Sequence, residues 1–460
     1  MKSNKLLDDL IVSTLGPGHV FSVGGRVRDE VLSSLGRPQP ESPDLDYLVM
    51  GVPYDEIVHR LTKIGSSDLV GASFGVIKFT RDGRTVDIAL PRRERSTGTH
   101  HRDFLIESSP DIPLEDDLSR RDFRVNMMAR NLATGDLVDP FGGADDVRNA
   151  RLDILRDEAF VEDPLRILRG AQFSARFDLE ATPHTLSAMR AAANLTNTIA
   201  PERVADELIK LLTKSVRPSV GFELLRAVGA LSQVMPELLE GWGVEQNEFH
   251  RYTVYYHALR SCDEAPPELA VRLAALLHDV GKPRTKSGPH FYRHEIVGED
   301  MARTMLTRLR FPTDVVQTVT QLIRHHMFAS DDPLTDAAVR RFIHRVGAGL
   351  VEQLFDLRRA DIVASGLPER NPAELDRFAG RVKMELSGPS ALSMNDLAID
   401  GGAVISIMRE LGLAGKEFRG DARVGAALRA CLDAVLENPK KNTVEDMRKV
   451  ARDFLMHKES

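Results

Sequence analysis

The hydrophobic positions change period along the chain. Up to about residue 140 they come in short runs of the kind that fill a sheet. Val20-Phe21-Ser22-Val23 runs into Gly24-Gly25, and Leu45 to Val52 is largely apolar and bounded by turns. Gly75-Val76-Ile77-Lys78-Phe79-Thr80 and Thr85-Val86-Asp87-Ile88-Ala89-Leu90 flank Asp82-Gly83, a hairpin signal. Glu30-Val31-Leu32 reads as helix, so this section is a mixed sheet with helices. From about 141 the strand signals fade. Glu158 to Phe177, Pro201 to Thr213 and Val220 to Val228 carry helical periodicity. A histidine-rich helical section follows from about 247 to 365, and a last helical section runs to Ser460, with Pro368 to Pro372 reading as a linker. There is no internal repeat and no low-complexity tract.

A chain of 460 residues is too long for one ordinary domain and predicts two to four. Apolar residues make up 42% and charged residues 28%, enough for several cores under an ordinary polar surface. No stretch reaches the roughly 18 consecutive apolar residues that cross a bilayer. The basic start Met1 to Lys5 is followed by Asp8 and Asp9, so no signal-peptide apolar region is expected. Cys262 and Cys431 are the two cysteines, which excludes a disulfide framework or zinc knuckle and fits the cytoplasm. The net charge of −7 argues weakly against nucleic acid, but local patches decide that binding. Residues 81 to 130 hold ten arginines, no lysine and ten acidic residues. The composition suits planar recognition of phosphates and bases, although an ion-paired surface has the same counts.

Three constellations bring chemistry to the first section. Gly24-Gly25-Arg26-Val27-Arg28-Asp29 lies between an apolar strand and a helix. Glycines there let backbone N–H groups approach phosphate oxygens at a helix N-terminus, and Arg26 and Arg28 add charge. Asp44-Leu45-Asp46 puts two carboxylates on one face of a strand, where they repel unless a cation sits between them. That suits Mg²⁺ ions that activate a 3′-hydroxyl and hold a triphosphate, with Asp87 a candidate third carboxylate. Asp-x-Asp is common by chance, but the upstream Gly-Gly turn makes chance much less able to explain it. Arg120-Arg121-Asp122-Phe123-Arg124-Val125-Asn126 offers Arg121 and Asn126 to a ribose and triphosphate, with Asp122 orienting an arginine.

Further on, Glu162-Asp163-Pro164-Leu165-Arg166-Ile167-Leu168-Arg169 starts a helical run, with Pro164 suited to its first turn. Asp163, Arg166 and Arg169 fall three residues apart, on one helical face. A surface ion-pair ladder has the same spacing. The sharper reading is chemical. A carboxylate only accepts hydrogen bonds and a guanidinium only donates. Cytosine and adenine each present an amino donor beside an unprotonated ring nitrogen; uracil and guanine present a carbonyl beside a ring N–H. Asp163 with Arg166 therefore matches C and A and mismatches U and G.

Together these motifs resemble the class II tRNA nucleotidyltransferase/poly(A) polymerase family. The resemblance also takes in Asp139-Pro140-Phe141-Gly142-Gly143 and Pro201-Glu202-Arg203-Val204-Ala205-Asp206-Glu207-Leu208. It implies an α+β chain: a polymerase-β-like mixed-sheet nucleotidyltransferase head followed by mostly α-helical neck, HD and tail domains. The implied reaction adds C, C and A from CTP and ATP to the 3′ end of tRNA without a template. Two positions depart from the family. Arg26 stands where Ala or Cys is usual, and Arg124 where Thr is usual. Between Pro91 and Glu115 lie Arg92, Arg93, Arg95, His100, His101 and Arg102, in the region of the family's mobile C-to-A switching element; here it reads as a polar surface loop. In the tail, Asp396 to Gly402 is similar to the family, whereas Gly420 to Leu428 matches its usual turn poorly.

A second metal cluster is expected downstream. Half of the 14 histidines lie between His250 and His326. His278-Asp279 ends an apolar run, with His257 upstream, Asp361 downstream, and His294, His325 and His326 as further candidates. Such a set can surround a hard or borderline cation. Gln246 to Tyr252, Leu276-Leu277-His278-Asp279-Val280-Gly281-Lys282-Pro283, Arg293-His294-Glu295 and Ala360-Asp361 resemble an HD domain. That implies a phosphohydrolase using Mg, Mn or Ni on cyclic phosphates or phosphate ends of RNA. The expected domains are a catalytic head (1–140), a neck and body for base recognition and RNA binding (141–245), an HD domain (246–365) and a tRNA-binding tail (366–460). Within the same mechanism the alternatives are a CC- or A-adding specialist or a poly(A) polymerase. From another class, the alternative is an HD phosphohydrolase with an RNA-binding head. Oligomeric state is not legible in the sequence.

Overall fold

In the first section each short apolar run becomes a strand. The computed structural model describes residues 2–37, 45–70, 76–96, 104–328, 335–388 and 392–457. Its strands are β1 (Val20–Val23), β2 (Asp46–Val49), β3 (Ser66–Val70), β4 (Val76–Arg81), β5 (Arg84–Ala89), β6 (Arg92–Ser96), β7 (Phe104–Ser108), β8 (Ala129–Asn131) and β9 (Leu137–Val138). Seven of them form one sheet in the order β3-β4-β5-β2-β1-β8-β9. Only β2 and β5 pair in parallel; the other neighbours are antiparallel. The hairpin expected at Asp82-Gly83 is present, with both residues in left-handed backbone at φ 50° and 74°. Strand β2 is apolar on both faces because both are covered. Tyr47 and Val49 join a core with Ile57, Ile77, Phe79 and Ile88, while Leu48 joins Val23, Leu118, Met127 and Ala129 on the other side.

Two features go beyond the sequence reading. A helix, α1 (Lys2–Leu15), opens the chain and buries Leu7, Ile11 and Leu15, spaced four apart, against the sheet. The region read as a polar surface loop is in part a β-ribbon. Strands β6 and β7 pair antiparallel from Arg92↔Ser108 to Ser96↔Phe104. Its base is fixed by the Arg92 N–H donating to Asp117 Oδ1 (3.1 Å) and by an Arg93–Asp116 ion pair. His100, His101 and Arg102 lie outside the described residues.

Helices α2 (Gly25–Ser34), α3 (Tyr54–Leu61) and α4 (Leu114–Ser119) lie between the strands, and after them come α5 (Gly143–Arg148), α6 (Ala159–Glu162), α7 (Leu165–Phe177), α8 (Pro183–Ala192), α9 (Pro201–Lys214) and α10 (Pro218–Val228). The helical pattern from Glu158 to Phe177 is broken in two. Asp163 is extended at φ −141°, ψ 96°, and Pro164 caps α7, since proline disfavours helical backbone at the residue before it. The two unusual arginines are locked by acids of this chain. Arg26 pairs with Asp8 of α1 at 2.5 Å, and Tyr47 donates to the same carboxylate at 2.7 Å. Arg124 pairs with Asp146 at 2.9 Å and Asp153 at 3.1 Å.

Contacts divide the chain into two units, Met1–Leu239 and Glu240–Ser460. In the second, helices Val254–Glu264, Leu269–Leu277, His294–Arg308, Thr313–His325 and Val351–Ala364 surround the histidines. Phe328, Phe342, Phe355 and Phe378 pack ring to ring at 5.0–6.1 Å and tie this bundle to the helices that follow. The last helices bury Val404, Ile407, Cys431, Val435, Met447 and Ala451 together. Arg340 caps helix Ala422–Glu437 by donating to the carbonyls of Leu436 (2.6 Å) and Glu437 (3.1 Å). No helix is long and apolar enough to cross a membrane among the described residues.

The turn Asp139 to Gly143 yields a stability prediction. The Asp139 carboxylate accepts the N–H groups of Gly143 (2.7 Å) and Ala144 (2.9 Å) and so caps α5. A Cβ on Gly143 would meet the Arg124 carbonyl oxygen at 2.2 Å, and backbone cannot give way cheaply. Gly143→Ala is expected to destabilise the first unit by about 1–3 kcal/mol. In urea titrations, circular dichroism follows both units and the single tryptophan, Trp242, follows the second. The dichroism midpoint of the first unit should fall while the Trp242 transition stays; an unchanged dichroism curve would refute the clash.

Candidate functional site

One pocket of about 310 Å³ in the first unit is lined by Gly24, Gly25, Asp46, Arg120, Arg121, Asp122, Asn126, Asp163, Leu165, Arg166, Arg169 and Arg203. The strand-to-helix turn after β1 supplies the two glycines. Gly24 has φ 67°, left-handed backbone that favours glycine, and a Cβ on it would push against the Arg121 Nη1 2.8 Å away. Arg121 is aimed by Asp117, which is buried and accepts at 2.9 Å, while the Arg121 Nε is buried without a hydrogen-bond partner among the described residues. Burial would raise the Asp117 carboxyl, but Arg121 and Arg120 outweigh it and hold it below the usual range.

Asp46 opens β2 at the pocket, exposed where the rest of its strand is buried. Its partner in the parallel register is Asp87, so the two carboxylates share a face of the sheet. Lys78 is the next residue in that row. Asp44 lies outside the described residues. Side-by-side acidic residues at the open end of a strand are a donor set that fits a hard divalent cation.

Asp122 is the hub of the other wall. It accepts from Arg169 Nε and Nη2 (2.8 and 2.6 Å), Asn126 Nδ2 (2.9 Å) and the Phe123 N–H (2.9 Å). Burial alone would raise this carboxyl; Arg169 and Asn126 more than offset it and keep it ionised. Asn126 Oδ1 in turn accepts from Arg28 Nη1 at 2.8 Å. Arg28 itself is buried, paired with Asp29 at 2.7 Å and stacked 3.9 Å from the Phe177 ring centroid. Neither Arg26 nor Arg28 lines the pocket. Arg26 is turned to Asp8, and Arg28 braces the turn from behind.

Asp163, Arg166 and Arg169 do meet in the pocket, although Asp163 stands just outside the helix that carries the arginines. Arg166 is held by the carbonyls of Arg120 (2.8 Å) and Ala159 (3.4 Å). Asp163 accepts the Leu165 N–H at 3.2 Å and lies 3.3 Å from Arg203 of α9. Arg203 and Arg120 were not singled out by spacing; the only sign was that both sit inside motifs already noted.

The second cluster is built at helix ends. Each ring's Nδ1 faces a backbone carbonyl: His257 to Ala364 (3.4 Å), His278 to Ala275 (2.8 Å), His294 to Phe291 (2.7 Å) and His326 to Ile323 (2.7 Å). With Nδ1 as donor, each Nε2 presents its lone pair inward. His257 Nε2 is 3.1 Å from Asp361 Oδ1, His278 Nε2 is 3.2 Å from Asp279 Oδ2, and His294 and His326 are 3.2 Å apart. His257, His278 and Asp361 form one compact donor set and Asp279, His294 and His326 another. His278 Nε2 is buried and lacks a well-aligned hydrogen-bond partner even though Asp279 is near. Burial, reinforced by His278, lowers His326 to about 3, so that ring is neutral and free to coordinate. This donor chemistry fits a divalent metal. Lys282 (2.6 Å from Asp279) and Arg358 (2.6 Å from Asp361) meet the carboxylates. His325 belongs to neither set, because adjacent residues on a helix point about 100° apart. His250, not among the expected ligands, meets the His257 ring edge to face at 4.7 Å and completes a third set with it and Asp279.

Comparison with known proteins follows the same order along the chain. The family described as Poly A polymerase head domain matches residues 20–153. The probable RNA and SrmB-binding site of polymerase A matches 178–241, and the HD domain 249–366. The multifunctional CCA protein of Nitrosococcus oceani is 37% identical over 72% of this chain and 80% of its own length. That of Cupriavidus taiwanensis is 34% identical over 91% of this chain and 94% of its own. In fold, the Bacillus stearothermophilus CCA-adding enzyme in complex with CTP superposes with a TM-score of 0.71 at 20% identity, covering 99% of this chain and 98% of that one. With two such relatives aligned across most of its length, the chain belongs to the family of multifunctional CCA proteins, nucleotidyltransferases with an HD domain.

Proposed function

We propose that this chain adds C, C and A in turn to the 3′ end of tRNA from CTP and ATP, without a template. One observation carries the reading: the Gly24-Gly25 turn, Asp46 and the Asp163–Arg166 pair line a single pocket. The relatives' description as multifunctional CCA proteins supports it. Asp44 and Asp46, with Asp87 paired to Asp46, would hold Mg²⁺, which when bound would activate the 3′-hydroxyl and neutralise the triphosphate. The N–H groups of the turn and Arg121 receive triphosphate oxygens. Asn126 and Arg169, both fixed by Asp122, orient the nucleotide, while Arg26 and Arg28 stiffen the turn from outside. Arg166 donates to, and Asp163 accepts from, the pairing edge of C or A. The head spans 1–140, the base-reading neck and body 141–245, the HD domain 246–365 and the tRNA-binding tail 366–460. The enzyme works in the cytoplasm.

The HD cluster we assign to a phosphohydrolase that clears phosphate ends of RNA. His257, His278, Asp279 and Asp361, with His294 and His326, hold Mg, Mn or Ni there, which supplies an activated water and charge neutralisation.

Four outcomes are expected. Given a tRNA lacking its whole CCA end, the protein should add two Cs and one A and stop. On a tRNA lacking only the A it should add A alone, and a complete tRNA should stay unextended. Long A tails on unrelated RNA, or C addition alone, would overturn the reading in favour of a poly(A) polymerase or a specialist. Asp46→Ala should abolish all addition while leaving HD activity intact. Asp163→Ala should reduce discrimination against UTP and GTP by about five- to 150-fold, since a mismatched buried polar group costs about 1–3 kcal/mol; intact discrimination would exclude Asp163 as a base reader. Chelation should remove hydrolysis of 2′,3′-cyclic phosphates, with Ni²⁺, Mn²⁺ or Mg²⁺ restoring it in the wild type and none doing so in His278→Ala. Inactivity with all three metals would leave the HD domain a structural one.

A further inference from the structure

The ladder between β1 and β2 ends at Ser22↔Tyr47. Two parts of the pocket lie just past that end, the Gly24-Gly25 turn on one strand and Asp46 on the other. Each is fixed on its far side. The Gly24 N–H donates to the Met128 carbonyl at 3.1 Å, and Asp46 is in register with Asp87 of β5. Between the turn and Asp46, no further β1–β2 pair sets the spacing among the described residues.

A side chain of α1 spans that gap. Asp8 Oδ1 accepts from Arg26 Nη1 at 2.9 Å and from the Tyr47 hydroxyl at 2.7 Å, while Oδ2 accepts from Arg26 Nη2 at 2.5 Å. Arg26 directly follows the two glycines, and Tyr47 directly follows Asp46. Successive strand residues point to opposite faces, so Tyr47 turns away from the pocket into the core that holds Leu7, Ile11 and Leu15 of α1. Asp8, Arg26 and Tyr47 all stay out of the pocket, and Asp8 and Tyr47 are buried. A buried charge pair adds little net stability, because loss of water offsets the attraction. What a two-pronged arginine–carboxylate contact adds is fixed geometry.

We infer that Asp8 is a positioning residue for nucleotidyl transfer, a bracket that sets the distance between the phosphate-binding turn and the carboxylate of Asp46. It touches neither nucleotide nor RNA and acts through Arg26 on one side and Tyr47 on the other. The triphosphate lies on the turn and the attacking hydroxyl at the carboxylates, so the width of this gap decides whether the reacting atoms meet in line. A displacement of about 1 Å from such a geometry can cost on the order of 100-fold in rate. The inference rests on the nucleotidyltransferase reading of the pocket. It adds that the first helix, outside the pocket, takes part in the reaction.

Steady-state kinetics of the full chain, adding A from ATP to a tRNA that lacks only its final A, test it. Asp8→Asn keeps the size of the side chain but turns one acceptor into a donor. Tyr47→Phe removes the link to β2 and leaves the Asp8–Arg26 pair. Each should lower kcat about tenfold, part of the loss that misplacement brings. Each should leave KM for ATP within twofold, because Arg121, Asp163 and Arg166 are untouched. Ile57→Val, in the same core as Tyr47, separates position from stability. It should lower the urea midpoint of the first unit and keep kcat within twofold of the wild type. Wild-type kcat in either bracket variant, or an equal loss of kcat in Ile57→Val, would overturn the inference and leave the proposed reaction standing. A wild type that adds no nucleotide would instead refute the reaction, and the inference with it.

Discussion

The first unit turns on one buried carboxylate. Asp122 accepts from Nε and Nη2 on one edge of Arg169, the amide of Asn126 and a backbone N–H, so four donors converge on a side chain with almost no access to water. Removing a partner from such a pair leaves an uncompensated buried charge, a loss of about 3–5 kcal/mol. The linkage is also what makes the pocket one object. Through Asn126 it reaches Arg28 and the glycine turn of the sheet; through Arg169 it reaches α7, which carries Arg166. The walls that face phosphate and base are therefore set by the same residue.

The two arginines that are unusual for the family fit this scheme. Arg26 ties the glycine turn to Asp8 on α1, and the hydroxyl of Tyr47 shares that carboxylate. Arg124 ties the segment around Asp122 and Asn126 to Asp146 and Asp153. Each strengthens a framework around the pocket without entering it.

The second unit solves a different problem with the same economy. A cation site needs lone pairs aimed at a common point, and four histidines achieve this by engaging Nδ1 with backbone carbonyls. The carboxylates between them are matched by Lys282 and Arg358 at 2.6 Å. Each ring is thus aimed by backbone: His278 and His326 by the last turn of their own helices, His294 by the strand residue Phe291, and His257 by Ala364 of another helix.

Much of this was legible in residue order. The period of the apolar positions gave the strands of the head and the helices after it, and Asp82-Gly83 gave its hairpin, because these are local steric preferences. The chemistry of the carboxylates, the Asp–Arg pair and the HD histidines was also readable, because donor and acceptor character belongs to the residue itself. The sequence did not reveal that Asp163 leaves the helix, that His325 and His326 point apart, or that Arg203, Arg120 and His250 join the sites. It also suggested Arg26 and Arg28 as parts of the phosphate cradle, where the structure engages them with Asp8, Asp29 and Asn126. An arginine's reach spans several possible acids, and which one it meets depends on helices distant in the chain being packed against one another. The sequence by itself determined the elements and the kinds of chemistry available; the tertiary structure decided which charges face a pocket and which are consumed in holding it, because pairing of buried charges is settled only when burial removes water as the competing partner.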